Sequence, residues 1–408
     1  MAQQLYFTRY TKVFVEFDSV IWEIPVLDGF SFSQATNATE VTLSEMESTA
    51  GVSRRGKKAF NDSLAPAEWS FSTYARPYFA SSAHGAVDNA LWALMAGADG
   101  YDSGEFTYDT SNDVTTQVTS GASKGGLAAQ QVNFAHSNRA TLADGVNIFF
   151  VLGDDNRKYY KMENATINEA SIDFDVEGIA TINWSGFGTV ITDQAATEAT
   201  TAGYAAALSA ADQDEYIYNT TTEKLYKSVD GAGTATTLID TGVTDTDNFI
   251  RNRISQLAIT DTLDGDQAYN LTLTGGNITI SNNLTYLTPE ELGSVNLPFA
   301  GILGERGVSG NFSCYLGYED GVGTTSAAFY DRLKALNTTV TNEFKLIYKL
   351  GGTATSIPHV NITIPAAHVE IPTHEVGDLI SITTNFMGLG TDLDTADEAW
   401  VELVGPTT

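Results

Sequence analysis

The side chains that could do chemistry are few and scattered. Histidines stand at His84, His136, His359, His368 and His374, and a metal site needs several such ligands converging on one point. His368 and His374 are close in sequence, but Pro372 between them breaks simple face counting along a strand. The acidic strings "DGYDSGEFTYD" and "GTDLDTADEAW" could offer carboxylates to calcium, yet neither has the spacing of an EF-hand loop. The single cysteine, Cys314, excludes an intrachain disulfide and stands where the other copy of an internal repeat has Thr73, which marks it as a packing residue. No G-x-S-x-G, P-loop or dinucleotide fingerprint occurs. No carboxylate pair stands out from the acidic background as a glycosidase pair would. Asn-x-Ser/Thr triplets at Asn37, Asn164, Asn283 and Asn361 are what Thr/Asn-rich strands produce by composition. The expectation is no enzyme: no catalytic residue, no cofactor and no metal.

One cluster is different. Arg54, Arg55, Lys57 and Lys58 place four of the 21 basic residues within five positions, in the loop "MESTAGVSRRGKKAFNDSLAPAE". The rest of the chain is strongly acidic, with a formal charge of −30. Such a balance disfavours tight nucleic-acid binding, because phosphate affinity comes from Lys and Arg displacing counterions. It suits solubility, or a surface that nucleic acid passes without sticking. The basic loop is then a solvated segment, a small nucleic-acid patch, or an arm steered toward an acidic partner, which could be a second copy of the chain.

The elements that would hold these groups repeat. The chain has 408 residues, enough for two domains, and 42% hydrophobic against 18% charged residues favours a folded protein. Gly is plentiful (36) and Pro scarce (9), a mix for strands and turns. "WEIPVLDG" pairs with "YNLTLTGG" at an offset of 247, matching Trp22 to Tyr269 and Ile24 to Leu271. Phe30 and Phe32 match Ile278 and Ile280 at 248, and "WSFSTY" meets "GNFSCY" at 241. Val87, Leu91 and Leu94 match Phe329, Leu333 and Leu336 at 242, an i, i+4, i+7 helix stripe in both places. "NATINEASIDFD" meets "NITIPAAHVEIP" at 197. Several matches in one order mean a duplication.

The fold expected is mainly β: two like domains of strands with one helix each, at 1–192 and 251–408, the second ending in an acidic tail. Between them, 193–250 reads as a linker, or a short helix around Ala205–Ala211, and a small hairpin turning at Asn219–Thr222. The N-terminus "MAQQLYFTRYTKVFVEF" has no signal-peptide pattern, and no apolar run reaches the length of a membrane helix. Synthesis inside the cell without membrane insertion is the expectation.

The stretch "GGNITISNNLTYLTPEELGSVNLPFAGILGERGVSGNFSCYL", with its first-copy counterpart "LDGFSFSQATNATEV … EWSFSTYARPY … NALWALMAG", resembles the tail tube proteins (major tail proteins) of long-tailed bacteriophages. The resemblance covers roughly residues 5–190 and 255–395. It implies two tandem tail-tube-type β-sandwich or barrel domains, each with one flanking α-helix, whose inner strands, six domains at a time, close into a ring. The rings stack into a conduit for genome DNA. With two domains per chain it implies homotrimeric, pseudo-hexameric rings, each carrying 3 × −30 = −90 formal charges. Ser31, Ser33, Asn277, Thr279 and Ser281 would face the lumen, with Phe30, Phe32, Ile278 and Ile280 turned to the core. Loops 45–68 and 290–306 would contact the next ring through Arg54, Arg55, Lys57, Lys58 and Arg306. The implied partners are further copies of the chain and, at the tube ends, tape measure, terminator and distal tail proteins; DNA would pass without specific binding. The implied location is the virion tail, assembled in the host cytoplasm. The other reading these residues allow is a β-rich decoration or adhesin of a virion or cell surface.

Overall fold

The computed structural model describes the chain except residues 1–4, 18–19, 42–57, 81–82, 97–122, 125–126, 129, 134–144, 241, 245, 247, 291, 293–294, 320–322, 337–342, 353–355, 392–397 and 407–408. The first half runs β1 (Lys12–Phe17), β2 (Val20–Ile24), β3 (Ser31–Ser33), β4 (Thr36–Val41), β5 (Lys58–Leu64), β6 (Ala67–Tyr74), β7 (Pro77–Ala80), β8 (Ala83–Ala86) and α1 (Asn89–Ala96). After the short β9 (Ser123–Lys124) and β10 (Leu127–Ala128) come β11 (Gln130–Asn133), β12 (Val146–Leu152), β13 (Lys158–Asp175), β14 (Thr181–Gly188) and β15 (Val190–Asp193). A central segment holds β16 (Ala196–Ala199), α2 (Thr201–Ala210), β17 (Tyr216–Asn219), β18 (Lys224–Lys227) and β19 (Thr237–Ile239). The second half runs β20 (Gln256–Asp261), β21 (Gln267–Leu271), β22 (Leu273–Ser281), β23 (Thr285–Leu287), β24 (Ala300–Ile302), β25 (Gly307–Tyr315) and α3 (Ser326–Leu336). It closes with β26 (Phe344–Leu350), β27 (His359–Val369), β28 (Thr373–Val376), β29 (Ile380–Leu389) and β30 (Trp400–Val404). The chain is mainly β, as its strand-and-turn composition suggests.

Each half follows one pairing path. In the first it is β2–β1–β12–β13–β14–β6–β3. In the second it is β21–β20–β26–β27–β29–β25–β22. The bulges repeat as well: Val146 faces Ala165 and Ile148 faces Met162, just as Phe344 faces Ala367 and Leu346 faces Ile364. These registers keep the offsets of 247 for β2 and 241 for β6 but correct two others. β13 corresponds to β27 and its continuation β28 at 202, not 197, so Ala165 matches Ala367 and Ser171 matches Thr373. β3 corresponds to β22 at 246, not 248, so Ser31 matches Asn277 and Ser33 matches Thr279. A slip of two leaves the faces of a strand unchanged and is invisible to alternation; a slip of five exchanges the faces, and bulges in these strands interrupt the alternation that would have exposed it.

The core shows the same duplication with parts exchanged. Trp69 lies across from Gly186, and Phe386 across from Gly310. A Cβ on Gly186 would come within 2.8 Å of the Trp69 ring, and one on Gly310 within 2.7 Å of the Phe386 ring. Position 69 corresponds to 310 and 186 to 386, so both halves hold an aromatic ring over a glycine, on opposite strands of the pair. One apolar cluster runs through both halves, from Phe71, Trp92 and Trp184 to Phe312, Phe329 and Phe344. Trp92 meets Trp184 edge-on at 4.8 Å, and the Trp184 indole donates to Thr73 Oγ1 at 2.9 Å. In the second half Thr384 replaces that tryptophan, so the position of Thr73 needs no acceptor and is filled by Cys314, whose thiol burial pushes up to about 12. Leu333 and Leu336 on α3, with Phe329, supply the buried stripe expected there, while every residue of α1 is buried.

Two expectations about the periphery change. The C-terminal segment is not only an acidic tail: β30 pairs with β27 on one side and β11 on the other, and Val401 and Leu403 are buried. The central segment is more than a loose decoration. β17 and β18 form the expected hairpin, Asn219 facing Lys224, and β16 adds in parallel. Tyr216, Tyr218 and Leu225 cover Phe14, Ile21 and Phe149 on the outer face of the first half. Two buried carboxylates anchor it. Glu16 meets Lys227 at 3.0 Å and accepts from the Tyr216 hydroxyl at 2.8 Å; Glu23 meets Lys12 at 3.0 Å and also Lys224.

Candidate functional site

The two halves are joined edge to edge. The lower part of β13 pairs with β22, from Glu169 facing Ser281 to Asp175 facing Gly275. One sheet therefore runs β3–β6–β14–β13–β22–β25–β29–β28 through the molecule. Strict alternation turns Trp69, Phe71, Trp184, Ile172, Ile278, Ile280 and Phe312 into the core. Over most of its area the other face is polar, small or acidic, with Phe187, Tyr315 and Met387 among the larger side chains on it.

That face is built in rows. One row crosses five strands as Ser31, Ser70, Ser185, Glu169 and Ser281. The next crosses six as Ser72, Asn183, Ser171, Thr279, Ser309 and Met387. A third runs Asp173, Asn277, Asn311 and Asn385. Short side chains bridge neighbouring strands: Ser31 Oγ to Ser70 Oγ at 2.8 Å, Ser72 Oγ donating to Asn183 Oδ1 at 2.6 Å, and Ser313 Oγ to Thr383 Oγ1 at 2.8 Å. Asn183 donates in turn to Asp173 at 3.3 Å, and Asn385 to Glu370 at 2.8 Å. These bonds hold polar groups against the wall and leave carboxylates at Glu68, Glu169, Asp173 and Asp175. No Lys or Arg stands among the described residues of these strands from Glu169 onward in β13 and throughout β3, β6, β14, β22, β25, β28 and β29. The face is a carboxylate-bearing surface with no cation to hold a phosphate.

The five residues expected at a lumen share this polar face. Ser31 and Ser33 are exposed, and Asn277, Thr279 and Ser281 are half-buried. The contributions of β6, β13, β14, β25 and β29 were missed, although alternation in "EWSFSTY" and "TINWSGFG" carries the signal. His368 faces Met387, His374 meets the Tyr330 ring edge-on at 4.6 Å, and buried His359 bonds the Ile357 carbonyl, so the three point to different neighbours. His136 lies outside the described residues, and so do the whole of the first acidic string and residues 392–397 of the second.

The ends of this sheet are open. Among the described residues β3 pairs only with β6, and β28 only with β29; all four residues of β28 are exposed. From the upper end two arms project, β4 with β5 and β23 with β24. They touch each other, Leu64 N donating to Asn296 O at 2.9 Å and Asn296 N to Asp62 O at 3.1 Å. The stretches expected to be loops therefore contain hairpin strands. Arg54, Arg55 and Lys57 lie outside the described residues, and Lys58 opens β5 in an exposed position. The second arm carries exposed apolar groups instead, Phe299 at 76% and Leu287, Leu297 and Ile302 near half.

Arg306 is the correction. It is 3% exposed, and its guanidinium donates to Asn282 Oδ1 at 3.3 Å and reaches the Ala96 carbonyl at 3.5 Å. Asn282, fully buried, donates to the carbonyls of Met95 and Ile167 at 3.1 Å each. Together the two side chains tie the second half to α1 and β13 of the first, so Arg306 closes a seam inside the chain and is not an exposed group of the arm.

No known family model matches this chain. Over 385 residues, 93% of this chain and 70% of the relative, it is 29% identical to the tail tube protein pb6 of Escherichia phage T5.

Proposed function

We infer that this chain, related over nearly its whole length to a tail tube protein of a long-tailed bacteriophage, is a structural subunit of a phage tail tube and does its work in the virion tail. The observation that carries the reading is the continuous sheet through both halves, with one apolar face packed inward and one face of Ser, Thr, Asn and carboxylates. Three chains would place six such half-sheets around a ring, removing the two open edges that each chain leaves. The polar face would then line the channel. DNA slides past it because cations are what bind phosphates, and this wall offers none among its described residues. Carboxylates at Glu68, Glu169 and Asp173 repel the backbone weakly and keep it off the wall, an effect that salt screens within about 8 Å at physiological ionic strength.

The arms project along the tube axis in this arrangement. The first brings Arg54, Arg55, Lys57 and Lys58 to the next ring, whose net charge is negative; the second brings an apolar tip. A contact between unlike surfaces of identical rings that advances along the axis repeats without closing and gives a filament. Tape measure, terminator and distal tail proteins would cap its ends. Electron microscopy of the purified protein tests the reading. Hollow tubes or stacked rings with a central channel are expected; single chains under every assembly condition would overturn it.

A further inference from the structure

We propose that the β28 edge of one copy of this chain pairs antiparallel with the β3 edge of the next, with Thr373 opposite Ser33, His374 opposite Phe32 and Glu375 opposite Ser31. The proposal rests on the tube-subunit reading and names the seam between its chains. Its template is the junction inside the chain, where β13 pairs with β22: Ser171 faces Thr279, Ile172 faces Ile278 and Asp173 faces Asn277. By the repeat's own register, β28 occupies the place of that part of β13, and β3 the place of β22. Transferring the internal pairing to the open edges yields the stated register with no free choice.

The side chains agree with it. Ser33 with Thr373, and Ser31 with Glu375, continue the polar rows, as Thr279 with Ser171 and Asn277 with Asp173 do inside the chain. Phe32 and His374 continue the opposite face. Ile278 is 1% exposed because β13 covers it, whereas Phe32, its counterpart, is only half-buried with that side of β3 open. Val376, 80% exposed, would be covered by Phe30 of the next copy. An exposed strand edge with unused backbone groups is the usual template for strand addition.

The two seams differ in strength. The internal one has the Asn282 and Arg306 latch. At the equivalent places the chain has Thr36 and Ala65, which cannot reproduce it. The seam between chains is therefore the one that opens first, and a ring falls apart into whole chains.

Paired cysteines test the register. Residues facing each other across antiparallel strands have Cα atoms about 4.5–5.5 Å apart, within reach of a disulfide, while positions four residues out of register are not. The full-length S33C/T373C variant, oxidised after assembly, should give linked dimers and trimers on a non-reducing gel and nothing larger within one ring. The S33C/G377C variant should stay unlinked; the buried Cys314 supplies no competing thiol. Rings or tubes that form in both variants without links in the first, or with links in the second, overturn the seam while leaving the tube reading intact. Chains that remain single in both variants and in the unaltered protein overturn the reading and the seam with it.

Discussion

Arg306 and Asn282 show how little a residue's type says about its job. A lone arginine near the end of a loop invites a surface role, yet here it satisfies a buried amide between two halves of one chain. Replacing Arg306 by Ala should cost about 3 kcal/mol in denaturant unfolding of the single chain, because buried acceptors lose their donor. Ring stacking should be no more salt-sensitive than before; a stable variant that fails only in stacking would restore the surface role. Asp88 is a second buried case, 1% exposed, whose carboxyl burial pushes up to about 7. Between roughly pH 4 and pH 7 the folded chain holds a proton there that the unfolded chain has released, so this group lowers stability as pH rises through that window. Asp88→Asn should therefore leave stability near pH 4 little changed and raise it at pH 8, by at most about 4 kcal/mol. Melting curves of both proteins across that range check the sign.

Alternation along strands was the most legible signal at the scale of elements. It placed Ser31, Ser33, Asn277, Thr279 and Ser281 on one face and Ile278 and Ile280 on the other, while the separate i, i+4, i+7 spacing marked the stripe of α3. The exact correspondence of the halves was not legible, for two physical reasons. Period-two patterns match equally well after a slip of two, and bulges move the register without leaving a mark in composition. Exchange of the aromatic and the glycine between β6–β14 and β25–β29 likewise removes an identity between the halves that the sequence would otherwise show. Strand order across the halves was also out of reach, because β13–β22 pairing joins residues as far apart as Glu169 and Ser281. At this scale the wall makes its own prediction. Thr279→Lys combined with Ser309→Lys puts two cations side by side on the cation-free face. Assembled tubes of that variant should retain double-stranded DNA with a salt-dependent affinity, the slope growing by about 0.9 per phosphate engaged. Equal DNA behaviour of variant and parent tubes would mean the face lies elsewhere.

The whole molecule is two like modules on one sheet, with open edges at the sides and arms at one end. Its charge of −30 is spread over a chain whose densest basic cluster lies, in sequence, between β4 and β5 and at the start of β5, so stacking should be steered by opposite potentials. Changing Arg54, Arg55, Lys57 and Lys58 to Glu should leave the chain folded and rings able to form, while tubes shorten or fail; light scattering at low and high salt reads the difference. Tubes unaffected by the change would assign stacking to the apolar tip around Phe299 alone. The most direct measurement is a three-dimensional reconstruction of an assembled ring, resolved well enough to see which side chains meet the channel. Three chains with Ser171, Thr279 and Asn311 lining the bore is the expected result. A bore lined by the arms or by the central segment, or an assembly with no channel, would contradict it.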